Sequence, residues 1–177
     1  MKKLIYPVLG LAFVLTVQSC IDNSKAKYYN EKTLVDDLGI SLIKNGLEGG
    51  LTEIKASTLA EANSKNPAVI NFAKMIIADH TKADSTLKWM EFDKMMTEKD
   101  TVNEEHLVMI DSLSKKTGSE FDKAYLEMMI KDHEEAIDLF TEASDDKNQT
   151  IQDFATKTLP TLKMHLDSAQ TLAASLK

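Results

Sequence analysis

Asn66-Pro67-Ala68-Val69-Ile70-Asn71-Phe72-Ala73-Lys74-Met75-Ile76-Ile77-Ala78-Asp79-His80-Thr81-Lys82 is the stretch that decides the fold. Asn before Pro is a helix start, because the Asn side chain caps free backbone N–H groups and Pro has no N–H to leave unpaired in the first turn. Val69, Ala73 and Ile76 follow at helical spacing, and the same steps continue through His80, Ala83, Leu87 and Met90. Steps of three and four place all of them on one face. A helix with one apolar stripe needs partners to cover it. The odd member is His80, an imidazole where the pattern assigns core.

Periodicity on either side supplies the partners. Residues 36–64 form a helical segment with the stripe Leu47, Leu51, Ile54 and Thr58. A second face carries Gly46, Gly50, Glu53, Ser57 and Ala60, so Glu53 stands among side chains too small to crowd it. Gly46, Gly49 and Gly50 each cost about 1 kcal/mol against alanine in a helix, which predicts close packing, a kink or a break there. Residues 103–115 form a shorter helix with Leu107, Ile110 and Ser114 on one side, His106 exposed, and Thr117-Gly118 as its end. Ser119 with Asp122 three residues on reads as a capping box opening the next segment, whose stripe is Leu126, Met129, His133, Ala136 and Phe140. Asp145-Asp146-Lys147-Asn148 is a turn. A last helix follows with Ile151, Phe154, Thr158, Leu162, His165, Ala169, Leu172 and Leu176 in step. Pro160 interrupts it without shifting the phase, which predicts a kink and not a stop.

Four amphipathic helices of about 25 to 30 residues, each roughly 40 Å long, make this an all-α chain: an antiparallel four-helix bundle with the short helix as a crossover. Composition agrees, with six glycines and three prolines among 177 residues. All 21 basic residues are lysine and the net charge is −7. Without arginine there is no bidentate fork for phosphate or guanine, so nucleic acid is not an expected partner.

The N-terminus reads as an address. Met1-Lys2-Lys3 is a positive start, Leu4 to Val17 an apolar run too short to span a bilayer, and Val17-Gln18-Ser19-Cys20 a lipobox. The expected organisation is a lipoprotein signal peptide over 1–19, a lipid-anchored flexible tether over 20–32, and the bundle over 33–177. Cys20, the sole cysteine, is then the lipidation site and the membrane contact. Ile21 in place of Asp after it favours the outer membrane or periplasmic side of the cell envelope.

Several separated motifs carry a resemblance. Asn66-Pro67-Ala68-Val69 through Asp79-His80-Thr81-Lys82, Phe121-Asp122-Lys123-Ala124-Tyr125, Asp132-His133-Glu134, and Phe154-Ala155 to Pro160-Thr161-Leu162 with His165-Leu166 resemble the ferritin-like bacterial envelope family catalogued as domain of unknown function 4142. The likeness spans about residues 36–172 and implies a ferritin-like bundle exported to the envelope, with Glu53 where the family's first helix carries a glutamate. The Gly49-Gly50 pair and the leucine-rich opening of that helix depart from the pattern. Fold analogy supplies no activity.

Measured along the helices, Glu53, His80, His133 and His165 fall within reach of one central layer. Ferritin-like di-iron centres use Glu-x-x-His on two helices. Here the residues three before His80, His106, His133 and His165 are Ile77, Asn103, Ile130 and Leu162, so that centre is excluded. Three imidazoles and one carboxylate suit instead one divalent transition-metal ion, zinc, copper or iron. Met129 and Met164 add soft donors nearby, and Asp84, Thr161 and Ser168 lie within one turn as supporting acceptors. The alternative is a buried polar network in which Glu53 accepts hydrogen bonds from the imidazoles and fixes helix register. Paired acids such as Glu134-Glu135 and Asp145-Asp146 read as solvated faces, and no phosphate loop, nucleophile elbow or Cys-x-x-Cys occurs. The expectation is a non-catalytic structural or interaction module that meets another envelope protein; mononuclear metal binding is the alternative. The oligomeric state is not written in the sequence.

Overall fold

The computed structural model describes residues 34–94, 96 and 101–176. The expected signal peptide, Cys20 and the expected tether lie outside them. Five helices follow in order: α1 (Asp37–Asn63), α2 (Pro67–Asp93), α3 (Glu104–Ser114), α4 (Gly118–Ala143) and α5 (Gln149–Ser175).

The ends of these helices follow from local chemistry. Asp36 caps α1 through Gly39 N, Asn66 caps α2 through Ala68 N, and Asn148 caps α5 through Thr150 and Ile151 N. Each cap satisfies donors that the first turn leaves free. The start of α4 differs from the expected capping box. It opens at Gly118, with Thr117 at the cap position and no side-chain bond there; Gly118 has φ of 60°, a left-handed conformation that glycine adopts without steric cost. Pro160 sits inside α5, which continues through it as one helix.

Two clusters of buried side chains define the topology. One gathers Ala56, Ala60, Val69, Phe72, Phe121, Tyr125 and Ala169. The other gathers Leu42, Leu47, Leu87, Met90, Phe140 and Ile151. The first marks the end of the bundle where α1 turns into α2, α4 begins and α5 finishes; the second marks the opposite end. α3 therefore lies on the path that carries the chain back along the bundle. Among the four long helices every adjacent pair, α1 with α2, α4 with α5, α1 with α4 and α2 with α5, runs antiparallel, whereas α3 packs on α1 in the same direction.

On α1 the small-residue face is the more deeply buried one, and of the expected leucine stripe only Leu47 is buried. Gly50, Glu53, Ser57 and Ala60 are buried, whereas Thr58 is exposed and Leu51 and Ile54 only half-buried. The glycines neither break nor end this 27-residue helix. They admit close neighbours: a Cβ on Gly46 would lie 2.9 Å from Leu87 Cδ1, and one on Gly50 only 2.6 Å from Asp84 Oδ1. Ser57 Oγ meets Tyr125 Oη at 2.8 Å and ties α1 to α4. Asp146, expected in a solvated pair, is buried and accepts from Asn148 N at 2.6 Å.

Candidate metal centre

Four helices each bring one side chain to mid-height: Glu53 on α1, His80 on α2, His133 on α4 and His165 on α5. One ring nitrogen from each histidine lies within 4.8 Å of the other two. His133 and His165 are 0% and 1% exposed, and Glu53 is 3% exposed. Glu53 flanks this trio of rings. Its Oε2 is 2.8 Å from His80 Nε2 and its Oε1 is 3.1 Å from His133 Nδ1. The His80 N–H points off the line to the oxygen, so that contact is charge pairing more than an aligned hydrogen bond.

The surrounding acceptors dictate where the protons sit. His133 Nδ1 faces two of them, Glu53 Oε1 and the Met129 carbonyl at 2.9 Å, so Nδ1 carries the hydrogen. In the neutral ring Nε2 is then a bare lone pair. His165 Nε2 faces Asp79 Oδ2 at 3.0 Å and carries its hydrogen there, which leaves Nδ1 bare. These two bare nitrogens face each other at 3.2 Å.

Charge follows burial and neighbours. Burial alone would raise Glu53, but the His80 and His133 rings outweigh it and bring its carboxyl to about 2, below the ordinary 4.5. Burial alone would lower His80, but Glu53 beside it raises the ring above the ordinary value. His133 and His165 are both lowered, chiefly by burial. The site thus holds one carboxylate, one ring that favours its proton, and two rings that favour neutrality.

The model of the family described as Domain of unknown function (DUF4142) matches residues 35–172. The chain belongs to that family. A solved structure described as a crystal structure of a DUF305 fragment from Deinococcus radiodurans is similar, with a TM-score of 0.73 at 12% identity, covering 81% of this chain and 99% of that one. At such identity the likeness is one of fold. No curated protein matches the chain.

In this DUF4142 bundle some expected supports move. The acceptor for His165 is Asp79 on α2; Ser168 donates to the Met164 carbonyl within its own helix, and Thr161 is half-buried. Asp84 is buried against Gly50, where its charge favours protonated His80. Met129 serves His133 through its carbonyl while its side chain packs in the core, and Met164 is 45% exposed. Asp79 had one available signal: the Asp-His pair at Asp79-His80 recurs at Asp132-His133.

His106 is the larger correction. Its side chain is 15% exposed and turns inward, whereas Leu107 and Val108 face solvent. The reason is Glu48 on α1, whose Oε1 lies 2.8 Å from His106 Nδ1 and also accepts from Thr52 Oγ1 at 3.1 Å and Asn103 N at 2.9 Å. Across the ring, His106 Nε2 is 3.9 Å from Asp132 Oδ1. Burial, then the Glu53 charge, raises the Asp132 carboxyl to about 7. Glu48, His106, Asp132, Glu53 and His80 all line one cavity of about 390 Å³, whose other wall includes Leu87, Phe140 and Leu162.

Proposed function

We propose that the protein binds one divalent transition-metal ion in the bundle core through His80, His133 and His165, with Glu53 supplying the balancing charge. The observation that carries this reading is the pair of facing lone pairs on His133 Nε2 and His165 Nδ1. Their 3.2 Å separation is close to the roughly 3.3 Å between two nitrogens that share a tetrahedral ion at about 2.0–2.1 Å each. Both outer nitrogens are engaged by acceptors, the arrangement that orients metal-binding imidazoles elsewhere. Three protein nitrogens leave a fourth position for water or a further donor.

Elemental analysis of protein prepared without chelator tests this. At least one zinc, copper or iron per chain is expected, and one ion per chain is lost in His133→Leu and His165→Leu. Absence of metal, together with unfolding that neither chelator nor added Zn²⁺ moves, would leave the second reading: a buried polar network. That reading draws on the acceptors that surround each ring, Glu53, Asp79 and the Met129 carbonyl.

We also propose anchoring at the cell envelope through lipid on Cys20, on the strength of the lipobox. No helix among the described residues is long and apolar enough to cross a membrane. Cys20→Ala is expected to move the protein from the membrane to the soluble fraction. Retention of that variant in membranes would remove the proposal.

A further inference from the structure

The cavity beside the core holds a second arrangement that the three-histidine site does not use. Asp132 is 8% exposed at its side chain, lines the cavity, and has both carboxylate oxygens buried without a hydrogen-bond partner. A buried carboxylate is costly unless something compensates it. Across from it on α3, His106 Nε2 lies 3.9 Å from Asp132 Oδ1. Glu48, an acceptor at 2.8 Å, holds the hydrogen of that ring on Nδ1. The Asn103 amide nitrogen at 3.2 Å from Nδ1 does not reverse this, since Asn103 Oδ1 is committed to His106 N and a bare Nδ1 would face the Glu48 carboxylate. Nε2 of the neutral ring is therefore a lone pair aimed toward Asp132.

We infer that His106 Nε2 and the Asp132 carboxylate form a second site for a divalent transition-metal ion, separate from the core trio and reached through the cavity. An imidazole and a carboxylate, with water completing the shell, form a donor set for borderline cations. The 3.9 Å gap exceeds by a few tenths of an ångström the roughly 3.4 Å between two ligands held tetrahedrally at about 2.1 Å. A small rotation of either side chain closes it. Glu48 positions the ring as a carboxylate positions a metal-bound histidine. Charge favours a cation as well. The cavity wall carries Glu48, Glu53, Asp132 and Glu135 against His80 and His106, and none of the described lining residues is a lysine.

Calorimetric titration of the chelator-stripped full chain with Zn²⁺ tests the inference. The wild type is expected to bind two ions per chain. His106→Ala and Asp132→Asn are each expected to bind one, as is His165→Ala, which loses the other. Glu48→Gln, which leaves both ligands in place, is expected to weaken the outer ion by roughly tenfold or more without changing the inner one. A single wild-type ion that persists in His106→Ala and Asp132→Asn overturns the outer site and leaves the core reading standing. A single ion lost in those two variants but kept in His165→Ala does the reverse. One ion lost in all three variants, or no ion at all, also overturns a separate outer site.

Discussion

His165 Nδ1 stands 3.2 Å from His133 Nε2, and in the neutral rings neither atom has a hydrogen to offer the other. The proton of His165 is drawn to the far side of the ring by Asp79, which is 41% exposed at its side chain and contributes little to the core itself. Asp79→Ala is therefore expected to weaken Zn²⁺ binding by about 10–100-fold while changing the stability of the stripped protein by less than about 1 kcal/mol. A competition titration against a chromophoric chelator measures the first, and urea unfolding the second. Unchanged affinity would count against the proton placement.

Glu53→Gln removes the charge that raises His80. A ring with a raised value stabilises the fold below its unfolded value of 6.5 and loses that contribution as pH rises through its folded value. The variant is expected to lose about 3 kcal/mol at pH 6, where an unpaired cationic ring would be left buried, and less at pH 9. Denaturant unfolding at the two pH values, with NMR titration of the His80 ring, checks it. An unmoved His80 midpoint would refute the pairing.

Asp132 is also raised, from 3.8 up to about 7. Between those values the folded protein holds a proton that the unfolded chain has released, so this group's contribution falls as pH rises and is gone above about 7. Asp132→Asn mimics the protonated form. In chelator-treated protein it is expected to exceed the wild type by on the order of 2 kcal/mol at pH 8, the gain vanishing toward pH 4. Equal stability at pH 8 would mean that the carboxylate is already compensated.

Gly49 and Gly50 are neighbours with opposite expectations. A Cβ on Gly49 meets nothing within 4 Å, whereas one on Gly50 meets Asp84 Oδ1 at 2.6 Å. Gly49→Ala is expected to stabilise by about 0.5–1 kcal/mol through helix propensity. Gly50→Ala is expected to destabilise by about 1–3 kcal/mol through overpacking. Thermal unfolding of the pair decides it; a stabilised Gly50→Ala would show that Asp84 yields freely.

The stripes of α2, α4 and α5 were legible because side-chain spacing alone sets which face is apolar, and Asn66-Pro67 marked its helix start by backbone chemistry. His80, His133 and His165 came with those stripes. On α1 the small-residue face is visible in the spacing but not its burial, because Gly50, Ser57 and Ala60 carry little hydrophobic signal and are buried through close approach of neighbouring helices. His106 was misassigned because a short helix is oriented by what it docks on, and Glu48 lies 58 residues away in sequence. Asp79 points off the stripe of its own helix and acts on another, a relation that periodicity within one segment does not contain.

With α3 on the return path, every neighbouring pair among the four long helices points in opposite directions, so their peptide dipoles oppose one another across the barrel. Such dipoles act mainly within the first and last turns, and the histidine layer lies far from both ends. Its potential is accordingly written by burial, the Met129 carbonyl and a few side chains, and owes little to the helix dipoles. Grafted as a set onto another up-and-down bundle of the same spacing, Glu53, Asp79 and the three rings should keep their protonation pattern.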